Sequence, residues 1–570
     1  MNKNRYFAQN PTGIDILRSK FDRQSQHKTT MNTGDLVPIY ADEMLPGDTV
    51  HMDMSALVRM STPIFPIMDN ANIEFFWFFV PYRLVWNHWK EFMGENTETY
   101  WAQETEYEIP QLKFNTTKEG SGAAEKGSIA DYMGIPTKIN GLSVSALPFR
   151  AYCLIWNEWF RSENVQQPVE VTMGDTDTYY TVMADNTDYN DVTGAQTGAK
   201  LLRSNKPFDY FTAALPQPQK GAAVLLPLGL TAPVIGNGNA IGFGDADTAK
   251  YAMQGGWMYS TEKNEEGIKL SSTGGQEGIT NGTSIEATTS TPGHGKLLGL
   301  NRDPALSGVI ADLSNATAAT VNQLRQAFAI QRMLEKDARG GSRYTEIIRA
   351  HFGVISPDAR QQRPEYLGGC KRSINVDQVI QTSSTDTTTP QGNTAAYSVT
   401  GVRDNKFTKS FTEHGIIMCL ATIRTDHTYQ QGIERFWNRR KRTDFYFPAL
   451  ANIGEQAILN KEIYAQGTEK DNEAFGYQEA WADYRYKPSR VSAAMRSNYQ
   501  TTLDSWHYAD YYEALPTLTS NWMEETRANV DRTIAVSEQL EDQFICDFYF
   551  NCTMTRPMPL YSIPGLIDHH

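Results

Sequence analysis

Between Val50 and Met60 the chain alternates strictly. Val50, Met52, Met54, Ala56, Val58 and Met60 are apolar, His51, Asp53, Ser55 and Arg59 between them are polar, and Leu57 is the one exception. Period two over that length predicts a strand with one buried face, entered through the turn Pro46-Gly47-Asp48. Phe544, Cys546, Phe548, Phe550, Cys552 and Met554 repeat the pattern near the other end, with Asp547, Asn551, Thr553 and Thr555 opposite. Two further runs, Ile73 to Val80 and Ile416 to Ile423, are apolar on both faces and predict strands buried between layers.

Helical signal is local. Ser314 or Asn315 can cap a helix through TAATVNQLRQAFAIQRMLEKDA, with Val321, Leu324 and Phe328 on one face and Gly340-Gly341 ending it. YTEIIRAHFG predicts a second, shorter helix. LVWNHW (Leu84 to Trp89) and LIWNEW (Leu154 to Trp159) each place two tryptophans three residues apart, as in two short packed helices. Residues 165–205 are acidic and rich in Thr, Asp and Asn, and residues 221–310 are rich in Gly, Ser and Thr. Both read as surface loops or an external insertion. Strands near both ends, with helices confined to connections, predict a mainly β chain: an antiparallel sandwich with long inter-strand loops.

The net charge of −14 argues against a surface that binds nucleic acid everywhere, and leaves room for a local basic patch. Five scattered cysteines form no disulfide framework and read as reduced thiols of a protein made in the cytosol. The most apolar run, Ile73 to Val80, is eight residues long, against about 20 for a membrane span, so a soluble, non-secreted chain with no membrane insertion is expected.

Enzyme signatures fail. Gly236 to Gly242 has one residue too many for a dinucleotide fingerprint, Gly295-Lys296 is followed by Leu297 where a phosphate loop needs Ser or Thr, and HExxH and GxSxG are missing. No cofactor, metal or catalytic residue is expected. Glu158, Glu479 and Asp483 lie among aromatics and could serve a glycosidase on a β-sandwich; the bland alternative pairs them with Arg161, Arg485 or Arg490.

Basic residues cluster in two places. Residues 1–30 carry Lys3, Arg5, Arg18, Lys20, Arg23 and Lys28 against Asp15 and Asp22, a basic N-terminal arm. RFWNRRKR carries Arg435, Arg439, Arg440, Lys441 and Arg442 beside Phe436 and Trp437. Cations that neutralise phosphates and rings that stack on bases make these candidate nucleic-acid contacts, or contacts between subunits. In GYQEAWADYRYKPSRV, Tyr477, Trp481 and Tyr484 fall at helical spacing and predict a short helix that buries them along one side, ended by Lys487-Pro488. With Tyr486 they are expected to anchor a long loop at an interface, with Lys487, Arg490 and Arg496 as secondary DNA contacts.

FDRQSQHKTTMNTGDLVPIYADEMLPGDTV, NATAATVNQLRQAFAIQRMLEKDARGGSRYTEIIRAHFGV, LGGCKRSINV, GYQEAWADYRYKPSRVSAAMRS, SWHYAD and PLYSIPGLIDH resemble the major capsid proteins of gokushoviruses, small tailless single-stranded DNA phages of the Microviridae. The resemblance covers nearly the whole chain outside 165–205 and 221–310. It implies an eight-stranded jelly roll (31–220 and 311–570) whose 221–310 insertion forms a surface protrusion at the threefold axes, thought to meet a host receptor. It further implies sixty copies in a T=1 shell around a circular genome, assembled in the bacterial cytoplasm. The expected companions are a small basic DNA-binding peptide, an internal scaffolding protein and a pilot-type minor protein. If the strands at 50–60 and 544–554 are the first and last of that roll, they should be antiparallel neighbours.

Overall fold

The computed structural model describes residues 17–95, 106–115, 122–181, 195–224, short strands between 234 and 311, and 321–561 apart from 384–386, 388–389 and 537–540. Lys3 and Arg5, and the expected caps Ser314 and Asn315, lie outside the described residues.

Nine strands build two facing antiparallel sheets: β1 (Ser19–Asp22), β2 (Ser25–Met31), β3 (Val37–Met44), β4 (Thr49–Met60), β5 (Ala71–Pro81), β6 (Glu365–Ser373), β7 (Thr400–Ser410), β8 (Gly415–Thr425) and β9 (Phe544–Arg556). In the five-stranded sheet, β1 and β2 lie end to end along one side of β9, and β4 then β7 follow on the other. The four-stranded sheet runs β6–β5–β8–β3. The expected pairing of 50–60 with 544–554 is present, from Phe544 opposite Met60 to Thr555 opposite Thr49, but 50–60 is not the first strand as supposed: β1 to β3 precede it, and β1 and β2 pair with the other side of β9. Its inner face matches large side chains with small ones, Phe548 facing Ala56. Residues 19–31 belong to this sheet, so that part of the basic stretch is not a free arm.

The inner faces share one core. Phe75 meets Phe548 edge-on at 5.8 Å between ring centroids, and Trp77 meets Phe550 at 6.1 Å. β5 and β8 are the unbroken apolar runs because their second face is covered too. Ile73, Phe75, Trp77, Ile417 and Cys419 enter the sandwich core, whereas Phe78, Val80, Ile416, Met418 and Leu420 enter a second core on the far side. The polar intrusion in β5, Glu74, is buried and paired with Arg424 of β8 and, at 3.3 Å, with Lys371 of β6.

The second core is made by α1 (Leu147–Ile155), by the π-helical turn Trp156–Phe160 that continues it, and by Trp86 and Trp89. The two tryptophan-bearing segments are thus short packed helical turns, as expected. The reading of 165–205 as surface loop needs correction, since Val169, Tyr180, Ala195 and Leu202 are buried in this core. Their apolar residues are too widely spaced to make a periodic signal, but each joins the same core as α1.

Gly221–Leu334 forms a compact unit of its own. Its described strands include an antiparallel set from Gly242 to Leu300, so this stretch is not all loop. Helix α2 (Val321–Gly340) ends at the expected glycines, and Phe328 of its expected apolar face is 64% exposed. Helix α3 (Tyr344–Phe352) follows. Among the described residues, no helix is long and apolar enough to cross a membrane.

Candidate functional site

The segment leaving β8 is fixed by a buried charge cluster. His427 Nδ1 lies 2.6 Å from Asp510 Oδ2 and Nε2 lies 2.8 Å from Glu525 Oε2. Asn529 donates to the other Asp510 oxygen at 3.0 Å, and Thr425 donates to Glu525 at 2.9 Å. Burial alone would lower the imidazole's pKa, but the two carboxylates outweigh it and raise it to about 10. Burial likewise acts to raise Asp510, and His427 and Lys206 overcome it and hold this carboxyl well below the usual range.

From this anchor the chain runs over a small apolar base of Tyr210, Phe211, Tyr429, Ile458, Ile463, Phe475 and Trp522. At Gly432 a Cβ would collide with the Glu462 carbonyl, so only glycine fits. The chain then turns through a 3-10 segment, Arg435–Asn438, into the basic run. Asp444 accepts backbone N–H groups from Arg440 and Lys441, both at 2.8 Å, which folds the run into a turn and lowers the Asp444 pKa.

The aromatic-rich stretch approaches from the other side, and here the expected helix is absent. Ala474–Glu479 is a strand paired with Glu455–Leu459. Trp481 has φ 66°, left-handed backbone, and a single 3-10 turn, Ala482–Tyr484, follows. Strand pairing takes Tyr477, which exchanges backbone hydrogen bonds with Leu215. Trp481 is buried with its indole N–H donating to Leu450 O at 2.8 Å. Tyr486 stacks on Tyr210 at 5.2 Å, and Tyr484 is 52% exposed. Trp481 is thus buried and Tyr486 stacked, Tyr477 is held through its backbone, and Tyr484 is the most exposed of the four.

The two stretches meet in one open cleft of about 550 Å³. Arg435, Arg439, Arg485, Lys487, Arg490 and Arg496 line it with Phe436, Trp437, Tyr484 and Tyr486; its carboxylates are Glu434, Glu462 and Asp483. Six cations face three acids. Arg439 pairs with Asp483 and lies 4.2 Å above the Tyr484 ring, while Lys487 and Arg490 share Glu434. Arg435 pairs with Glu462 at 3.1 Å; burial raises that carboxyl's pKa and Arg435 only partly offsets it. Arg496 donates to Gln430 O at 2.7 Å. Arg440, Lys441 and Arg442 do not line the cleft; Arg442 sits over Phe447 at 5.2 Å.

Two of the three carboxylates of the glycosidase alternative are tied up in ion pairs. Glu479 pairs with Arg485 at 2.8 Å, as the bland reading expected, and Asp483 pairs with Arg439 instead of the residues foreseen for it. What the cleft presents outward is charge and ring surface. Arg485, Lys487 and Arg490 have side chains 62–68% exposed, and Trp437 is 69% exposed. Among the described residues no cluster of His, Cys, Asp and Glu could hold a metal ion.

Residues 9–566 match the family model described as capsid protein (F protein). The chain belongs to this capsid protein family. It is similar to the capsid protein VP1 of Bdellovibrio phage phiMH2K, 42% identical over 98% of this chain and 97% of that one. It is 40% identical to VP1 of Chlamydia phage 1 over 99% of this chain and 98% of the relative, and 41% identical to VP1 of Spiroplasma virus 4 over 97% and 96%. The resemblance in the sequence is thereby established over the whole length. This member of the capsid family is a structural protein of Microviridae-type phages and not an enzyme.

Proposed function

We propose that the chain is the major capsid protein of a small single-stranded DNA phage, sixty copies forming a T=1 shell around a circular genome. Family membership supports the shell. Strand order supports a jelly roll. With β1 and β2 taken as one interrupted strand, there are two sheets of four, and consecutive strands cross from one to the other except at β5 and β6, which are neighbours in one sheet, the winding of a double Greek key.

The observation that carries a genome-facing role is the cleft, in which two basic segments far apart in sequence converge around exposed rings. Three exposed cations suit phosphates, and Trp437 and Tyr484 suit unpaired bases. On this reading the cleft and the N-terminal segment bearing Lys3 and Arg5 face inward. A chain of net charge −14 neutralises little of a genome, so a small basic peptide shares that role beside the scaffolding and pilot-type proteins. The 221–310 insertion forms the threefold protrusions and meets the host surface.

Expression in the phage's host tests the proposal. Wild-type protein should sediment as a particle with nuclease-protected DNA. Lys487→Glu with Arg490→Glu should reduce protected DNA several-fold at unchanged particle yield. Equal DNA content in the variant would remove the cleft from genome binding.

A further inference from the structure

Helix α3 has nine residues and none is buried. An amphipathic helix this short gains most of its stability from burying its apolar face, and here Tyr344 and Phe352 on that face are left exposed while Ile348 between them is only half-buried. Tyr344 is 72% exposed, Phe352 77% and Ile355 78%, with Val354 beside them. Tyr344, Ile348 and Phe352 recur every four residues along one stripe, and Gly353, in left-handed backbone, turns the chain so that Val354 and Ile355 extend it.

Polar contacts at the base hold the helix in place. Arg343, its N-cap, pairs with Glu163 at 2.6 Å and with Glu346 at 3.1 Å, and donates to Asn157 O at 2.7 Å and Arg161 O at 2.9 Å. Glu163 also accepts the Ser342 N–H at 2.6 Å. His351 reaches Asp337 at 2.7 Å, and Arg363 donates to Thr345 at 2.9 Å. The chain thus spends a ring of ion pairs on presenting an apolar ridge.

We infer that the ridge Tyr344–Ile355 is a contact between copies of this chain, each ridge seating on a second copy. This rests on the proposed shell role, which requires copies to meet. The area fits. The four exposed side chains offer roughly 400–500 Å², comparable to the largest apolar patch of a typical monomer and more than half of one partner's share of a standard interface of about 800 Å². Charge fits as well. The one carboxylate of the ridge segment, Glu346, is tied to Arg343, while Arg349 is exposed on the same helix and Arg360 lies just beyond it, whereas a second copy brings a net −14. A nucleic-acid partner would call for more cations and fewer aliphatic side chains.

The test uses the full chain, with Phe352→Ser and Ile355→Ser combined. Unassembled variant should match wild type in circular dichroism and melting temperature, because both side chains are more than three-quarters exposed in the subunit, yet its particle yield should fall at least ten-fold. Wild-type particles with an equally productive variant overturn the ridge contact and leave the shell role standing. Wild type that forms no particle overturns the shell role, and this contact with it. If the variant misfolds, hydrogen exchange on wild type decides. Residues 344–355 should be protected in DNA-free particles relative to free subunits; no protection, or protection only in DNA-filled particles, overturns the proposal.

Discussion

Replacing His427 by alanine leaves Asp510 and Glu525 facing a void, Glu525 without its paired cation and Asp510 with only the charge of Lys206 to act on it. The imidazole side chain is 3% exposed and sits 2.6 and 2.8 Å from the two carboxylates, so the ion pairs are desolvated. Asn529 and Thr425 remain to the acids, but both are neutral donors. Removing one partner of a buried pair costs about 3–5 kcal/mol, and that is the expected loss. The sign with pH follows from the shifts. The His427 pKa is about 10 in the fold against 6.5 in an unfolded chain, so its contribution is complete below about pH 6.5 and fades as pH rises through 10. Asp510 is depressed from 3.8, so its contribution is present above that value and is lost as pH falls. The gap between wild type and variant should be widest between about pH 4 and 6.5 and narrow towards pH 10. Urea unfolding of unassembled subunits at fixed concentration, followed by both tryptophan fluorescence and circular dichroism, measures it. A gap below about 1 kcal/mol, or one flat between pH 5 and 9.5, would refute the cluster's role.

Two contrasting core substitutions complete the test of the packing. Phe548→Ala should cost about 3–5 kcal/mol in the same assay, because Phe548 is fully buried between Phe75 and the small Ala56 and no neighbour can fill its space; a loss near zero would contradict that. Arg150→Met should be neutral or stabilising. Arg150 is 2% exposed and makes one hydrogen bond, to Val85 O at 3.2 Å, and burial lowers its pKa; a loss above about 2 kcal/mol would mean the guanidinium has a stronger partner.

The strands were legible where one side of the sheet is wet, as along β4 and β9, because alternation records the two environments directly. β5 and β8 were legible as runs. Val169, Tyr180 and Leu202 were not, since scattered apolar residues in an acidic segment carry no period and only the tertiary fold brings them into the core shared with α1. The spacing of Tyr477, Trp481 and Tyr484 fits a helix as well as a strand followed by a left-handed turn, and pairing with Glu455–Leu459 decides between them. Both halves of the cleft were visible in the sequence; their meeting was not, because it depends on that same pairing. The His427 cluster left no trace, with partners 83 and 98 residues away.

β5 and β8 raise a problem of alignment. A strand with one wet face resists slipping, because a shift of one residue turns its apolar row into water. These two lose nothing in hydropathy by slipping, since either face meets a core. The choice falls to Glu74, whose buried carboxylate finds Lys371 on one flank and Arg424 on the other only in the observed alignment. A slip strands that charge among hydrocarbon at a cost of several kcal/mol. One acid in an apolar strand therefore acts as a proofreading device for the whole sheet.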